Sequence, residues 1–205
     1  MIRAFLSSQI NAMERTWNYD ASYLRELLAV SPGAFIRFSL VASLGHGRRA
    51  PGAALAAAGI VGTLAEDCGP CTQISVDMAA KAGVKPVVLR AILAGDEAAM
   101  GETAALGYRF AQAVLERDME RADPLRDEIV RRWGKAGLVD LSLALTTARM
   151  YPTLKYGLGH GKTCSRVTVA GEAAAFERPA QSPYSGDTIL NSDPMSGSFP
   201  AVAGN

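Results

Sequence analysis

The chain is poor in several residues and patterns that common functions require. Its 205 residues hold only two histidines, His46 and His160, and three cysteines, Cys68, Cys71 and Cys164. Three cysteines in a chain this long do not form the disulfide framework of a small secreted domain, and no tight His-x-x-x-His or second C-x-x-C marks a zinc site. Neither sign of charge dominates: 21 Lys and Arg stand against 20 Asp and Glu, a formal charge of +1. Nucleic acid and anionic membrane surfaces are therefore not expected partners. The most apolar run, Ala53 to Ala65, is built from Ala and Gly and is too short to cross a bilayer at about 1.5 Å per helical residue. The N-terminus carries one early Arg but neither the apolar core nor the small-residue cleavage site of a signal peptide, so a cytoplasmic location is expected.

Sustained period-two alternation is also missing. What is present is a series of Ala-, Leu-, Arg- and Glu-rich segments between Gly and Pro punctuation, which reads as an all-α chain with one core. Asp20 can cap "ASYLRELLAV", and Ser31-Pro32 is an N-cap and first-turn signature for the helix ended by Gly45. "GHGRRAPG" reads as a loop, Ala53 to about Leu64 as a buried helix, and the segment after the cysteines as a helix closed by Gly83. Lys85-Pro86 opens a helix that stops near Gly95, and Asp96 caps a long one through about Asp118. Asp123-Pro124 opens another through Trp133, and Pro152 is expected to kink or break the last helix. Residues 171–205 contain four Pro, four Gly and five Ser, and read as a tail beyond a helical domain of residues 1–170.

The segment "LAEDCGPCTQISVDMAAKAG", Leu64 to Gly83, carries the chemistry. With Asp67 as N-cap and Cys68 as the first helical residue, Cys68 and Cys71 fall at i and i+3, with Cβ atoms about 5–6 Å apart before local adjustment. A disulfide needs them closer, so the first turn must distort, and a bridge closing so small a ring suits a cycling dithiol better than a staple. The helix N-terminus favours a thiolate at Cys68, while the adjacent Glu66 and Asp67 oppose it. Glu66 is a candidate proton acceptor for a thiol, or else the solvated end of the preceding helix. Thr72 and Ser75 follow on the same face and can donate hydrogen bonds to sulfur, or bond the backbone one turn back.

The run "EDCGPCTQISVDMAAKAGV", the helical character of the chain, and the order of apolar helix, C-x-x-C and "AAKAG" resemble the carboxymuconolactone decarboxylase and alkylhydroperoxidase-D-like superfamily over about Ala53 to Gly95. The resemblance implies a helical bundle that assembles as a trimer or hexamer and reduces hydroperoxides or disulfides through its C-x-x-C pair. It further implies an external thiol reductant and no metal or organic cofactor. That pattern has a Glu about twelve residues before the first cysteine and a His four after the second, where this chain has Ala56 and Ser75. Cys68 and Cys71 carry over; the proton relay does not. The resemblance makes Cys71 the attacking thiol and Cys68 the resolving one, whereas the helix-terminus argument makes Cys68 the more acidic.

The histidines, both on Gly-flanked loops, are candidates to replace the relay. His160 is preferred, since Lys162, Cys164 and Arg166 make its neighbourhood basic and thiol-containing. A Cys₃His zinc site from Cys68, Cys71, His160 and Cys164 is a lesser alternative. Tyr108, Tyr151 and Tyr156 read as packing residues, and Arg131 and Arg132 as a solvated face. The candidate catalytic residues are thus Cys68, Cys71, Glu66, Ser75 and His160. The expected activity is that of a thiol-dependent peroxidase or disulfide oxidoreductase acting on a small hydroperoxide or disulfide. The rival is a non-enzymatic helical oligomer or redox sensor on the same scaffold.

Overall fold

Side-chain caps and left-handed residues set most of the helix boundaries. The computed structural model describes residues 2–161 and 167–176. Among them are eight α-helices: α1 (Ile2–Trp17), α2 (Ser22–Val30), α3 (Pro32–Ala42), α4 (Gly52–Ala65), α5 (Gly69–Lys81), α6 (Pro86–Ala94), α7 (Glu97–Glu116) and α8 (Met119–Gly157). One antiparallel hairpin follows, β1 (Val167–Val169) with β2 (Glu172–Ala174). Apart from that ribbon the described chain is all-α. No helix among the described residues is long and apolar enough to cross a membrane. Cys164 and residues 177–205, most of the expected tail, lie outside the described residues, and the hairpin straddles position 170.

Several ends form where local chemistry places them. Ser31 accepts the Ala34 N–H at 3.3 Å to open α3, Gly95 takes φ 68° to close α6, and Asp96 accepts the Ala99 N–H at 3.1 Å to open α7. Elsewhere the structure corrects the expectation. Ala21, not Asp20, occupies the cap of α2, and the Asp20 carboxylate accepts the Ser22 N–H at 3.0 Å from one residue further back. α7 ends at Glu116, within two residues of the expected Asp118, where Arg117 turns left-handed at φ 59°. α8 starts at Met119, five residues before Pro124, because the Asp118 carboxylate caps the Arg121 N–H at 3.0 Å. Pro124 then falls at the sixth helical position, inside the helix, where its missing N–H leaves one backbone bond unmade. Gly134 does break α8, at φ 72° and ψ 174°, but Pro152 does not: the helix runs through it to Gly157. The hairpin was not visible as alternation because each strand is three residues long.

α4 is the central helix, packed against α5, α7 and α8. Ala54, Ala57, Ala58, Ile60, Val61 and Leu64 are all buried along it, and full burial of a residue such as Ile60 is worth about 1.5–3 kcal/mol. The small residues admit close neighbours. A Cβ added to Gly107 of α7 would stand 2.5 Å from the Ala54 carbonyl oxygen, so the two backbones touch there and only glycine fits. A second, smaller core joins α1, α2 and α3 through Ile10, Tyr19, Tyr23, Leu24, Leu28 and Phe35, and borrows Ile74 from α5 and Tyr151 from α8. The seam between the two cores holds the candidate site.

The hairpin is fastened to α5 by one side chain. Gln73 accepts the Thr168 N–H at 2.7 Å and donates to the Thr168 carbonyl at 3.1 Å, in effect giving β1 one residue of strand partner.

Candidate functional site

The cysteine segment enters its helix one residue later than the spacing suggests. Asp67 is left-handed (φ 48°), its N–H bonded to the Leu64 carbonyl at 3.1 Å, which makes a tight turn out of α4. Cys68, with φ −104° and ψ 90°, is then the N-cap of α5; Gly69 and Pro70 fill the first turn and Cys71 stands at the third helical position. An N-cap side chain naturally points back over the N–H of that third residue. Here the two positions meet through sulfur instead. Cys68 and Cys71 are joined as a disulfide across a Cα–Cα distance of 5.2 Å. The extended cap, rather than a distorted helical turn, brings them together. Pro70 has no N–H to lose in the first turn, and the Thr72 N–H reaches the Cys68 carbonyl at 2.8 Å to start the regular ladder.

Both cysteines are almost closed to outside solvent, at 3% and 2% exposure for Cys68 and Cys71, but their surroundings differ. Cys71 lines a cavity of about 650 Å³ at the seam between the two cores; Cys68 is not among its lining residues. α1 and α2 supply Met13, Trp17 and Tyr23 to the wall, α4 supplies Leu55, Ala56 and Gly59, α5 supplies Ile74 and Ser75, and α8 supplies Tyr151. The loop after α3 contributes His46 and Arg48. Ala56 and Ser75, the positions where the resembled pattern has Glu and His, therefore face the same space as Cys71.

Two phenols stand behind the sulfur. The Tyr19 hydroxyl lies 3.8 Å from Cys71 Sγ, and the Tyr19 and Tyr23 hydroxyls are 3.4 Å apart. A disulfide sulfur has no hydrogen to give, so Tyr19 is the donor to Cys71. With its one proton so used, the freely rotating Tyr23 hydroxyl is left to donate to the Tyr19 oxygen. Burial pushes the Tyr19 phenol up to about 12, the Tyr23 hydrogen bond opposing part of that rise. Burial raises Tyr23 further, with the neighbouring Tyr19 adding to it, and raises Tyr151 as well. Near neutral pH Tyr19 is thus a proton donor and never a base. The buried Lys155 ammonium stands 5.0 Å from the Tyr19 ring centre and 5.5 Å from that of Tyr23, a cation facing both rings.

The remaining candidates are placed elsewhere. Glu66 is held by Arg149, whose Nε donates to Oε1 at 2.6 Å and whose Nη2 lies at 2.5 Å. It does not line the cavity. His160 sits past the end of α8, Nδ1 3.0 Å from the Ser22 hydroxyl and Nε2 2.5 Å from Glu26 Oε2, and so fastens that end to α2. Ser75 does line the cavity, but its hydroxyl donates to the Cys71 carbonyl at 2.9 Å rather than to sulfur. Thr72 likewise donates to the Cys68 carbonyl at 3.1 Å. His46, the less favoured histidine, is the one that reaches the cavity wall.

Tyr151, expected as packing, does both jobs: its ring meets Phe38 edge-on at 5.2 Å and it lines the cavity. Tyr156 donates to the Asp67 carbonyl at 3.0 Å and steadies the turn before Cys68. Tyr108 is buried beside Gln112, and Arg131 and Arg132 pair with Glu128 on an exposed face. Sequence reasoning missed Tyr19; the only available hint was a tyrosine pair one helical turn apart in "YDASY". Among the described residues no group of three or more His, Cys, Asp or Glu could hold a metal ion. The zinc alternative needs Cys164, which lies outside them. Compared with known proteins, the chain matches no family model, no curated protein and no solved structure.

Proposed function

We propose that this protein is a thiol–disulfide oxidoreductase that reduces hydroperoxides or disulfides with the Cys68–Cys71 pair. One observation carries the reading: Cys71, bonded to Cys68 at the start of α5, opens onto a cavity of about 650 Å³ while a phenol donor stands 3.8 Å behind its sulfur. The disulfide is the oxidised end of the cycle. An external dithiol supplies two electrons and two protons, giving two thiols and its own disulfide. The Cys71 thiolate then attacks the outer peroxide oxygen. The O–O bond breaks, an S–O bond forms, a proton passes to the leaving alkoxide, and the products are an alcohol and a Cys71 sulfenic acid. Cys68 attacks that sulfur, water leaves, and the disulfide is restored. With a disulfide substrate, Cys71 forms a mixed disulfide that Cys68 resolves.

Cys71 is the attacking sulfur because it is the one on the cavity. It sits three residues into a helix whose free N–H groups and dipole favour a thiolate, and the Tyr19 donor adds to that preference. The test is to reduce the protein, add cumene hydroperoxide and count free thiols. Loss of two thiols per chain, abolished by Cys71→Ser and arrested at a sulfenic acid or mixed disulfide by Cys68→Ser, is the expected result. Thiols that stay unchanged over hours overturn the proposal in favour of a redox-inert scaffold.

The same reading includes a homo-oligomer, a trimer or hexamer as the resemblance implies. It is supported by a row of exposed apolar side chains, Ile36, Leu40, Val41 and Leu44, on α3 and the turn after it. Sedimentation of the full chain tests it, and a monomer at micromolar concentration would remove it.

A further inference from the structure

The charge on the cavity wall is one-sided. Arg48 carries the only permanent charge among the lining residues, with His46 beside it, and no Asp or Glu lines the space. The rest of the wall is mainly apolar, including Met13, Leu55, Ile74 and Met78. Arg48 makes no hydrogen bond or ion pair among the described residues. Its loop is nonetheless held in place. The Asp140 carboxylate of α8 accepts the backbone N–H of Arg49 at 2.6 Å and of Ala50 at 3.4 Å. Gly47 packs so tightly on that carboxylate that an added Cβ would be 2.2 Å from Asp140 Cγ. Asp140 thus engages the loop backbone just after Arg48, an exposed residue that lines a mainly apolar chamber.

We propose that the cavity binds an amphiphile with an apolar chain and a terminal carboxylate: the chain lies against Leu55, Ala56, Ile74 and Met78, and the carboxylate pairs with Arg48. A planar guanidinium takes a carboxylate through two parallel hydrogen bonds, and a mostly apolar pocket of this volume suits a chain of that kind. A cationic or polyhydroxylated ligand finds neither a counter-charge nor enough polar partners in the same wall. The inference rests on the redox reading only in naming what that ligand is for: a hydroperoxide or disulfide borne on such a chain would pass Cys71 on the cavity wall. Binding itself needs no redox step.

The full chain in its disulfide form, titrated with decanoate and followed by Trp17 fluorescence on the cavity wall, is expected to show one saturable site below the micelle threshold. Methyl decanoate, which keeps the chain and loses the charge, should bind about tenfold more weakly, as one lost charge-assisted pair predicts. Arg48→Ala and Arg48→Gln should weaken decanoate by a similar factor and leave the ester unchanged. Ester and acid binding equally, or decanoate indifferent to both Arg48 variants, overturns the proposal, as does binding only at micellar concentration. Decanoate binding without peroxide turnover keeps this site and removes the redox reading; turnover of cumene hydroperoxide without decanoate binding does the reverse.

Discussion

Replacing Tyr19 by Phe removes one oxygen from the site and leaves the ring in place, so it isolates what the hydroxyl does for Cys71. In the disulfide the O···S distance is 3.8 Å, long for a working hydrogen bond. Reduction puts charge on that sulfur and is expected to draw the donor in. A hydrogen bond to a charged group is worth about 1.5–3 kcal/mol. At about 1.4 kcal/mol per pKa unit, its loss raises the Cys71 thiol by roughly one to two units, and the long starting distance argues for the lower end. The rate changes less than the thiolate fraction, because a more basic thiolate is a better nucleophile, with a Brønsted coefficient of about 0.4–0.5. About half the effect is returned, and alkylation at neutral pH should slow roughly three- to tenfold. The measurement is the iodoacetamide rate against pH, in a Cys68→Ser, Cys164→Ser background where Cys71 is the only thiol, with Tyr23→Phe as a control one hydroxyl further away. Near-ultraviolet circular dichroism checks that the fold is intact. A Cys71 titration that does not move with Tyr19→Phe would refute the assignment of the phenol as donor and leave the helix terminus alone to activate the sulfur.

Two further outcomes follow from the packing. Tyr19, raised to about 12 from 10 by burial, and Tyr23 and Tyr151, raised for the same reason, keep their protons in the folded chain after the unfolded chain has lost them. Stability should therefore be unaffected below about pH 10 and fall as the pH rises from there toward 12, with Tyr19 alone contributing on the order of 2–3 kcal/mol. Urea midpoints measured across that range should drop less in Tyr19→Phe than in the parent. Gly107→Ala places a methyl 2.5 Å from the Ala54 carbonyl oxygen, where only backbone can yield. Forcing α7 off α4 should cost about 1–3 kcal/mol or more, read as a lower thermal midpoint; an unchanged midpoint would mean the two helices are not in contact at that residue.

What the sequence made legible is what its chemistry settles locally. Ser31-Pro32, Gly95 and Asp96 set helix ends within three or four residues of themselves, and the structure has those ends where they belong. The misplaced starts have separate causes, a rival cap upstream of Asp123 and, at Ala21, a cap position with no capping side chain. Asp118 pre-empts Asp123, and Asp20 acts one residue away from the true cap. At the cysteines the shift from Asp67 to Cys68 depends on a left-handed aspartate that nothing in the local spacing announces. That single residue converts two sulfurs on successive turns into an N-cap and a third helical residue in bonding contact. Tyr19 was invisible for another reason. It lies fifty-two residues before Cys71 and reaches it only because α1 and α2 fold back onto α5 and α8 as a second core. The cavity belongs to the same class of fact, since it exists where two separately packed cores meet.

In the proposed cycle, the residues around Cys71 leave one way of activating its sulfur. A carboxylate and an imidazole at positions 56 and 75 would give the cavity a base and an acid; Ala56 and Ser75 give it neither, and the serine proton is taken by the Cys71 carbonyl. Tyr19 cannot accept a proton near neutral pH, and Glu66 is engaged by Arg149 outside the cavity. General-base removal of the thiol proton therefore has no agent within hydrogen-bond reach among the residues described at the sulfur. What remains is stabilisation of an anion already formed, by helix N–H groups and a phenol donor. Ala56 and Ser75 also keep the chamber free of carboxylates and mostly apolar. Weak acid–base machinery and a capacity for an apolar chain are, on this geometry, two consequences of one wall composition.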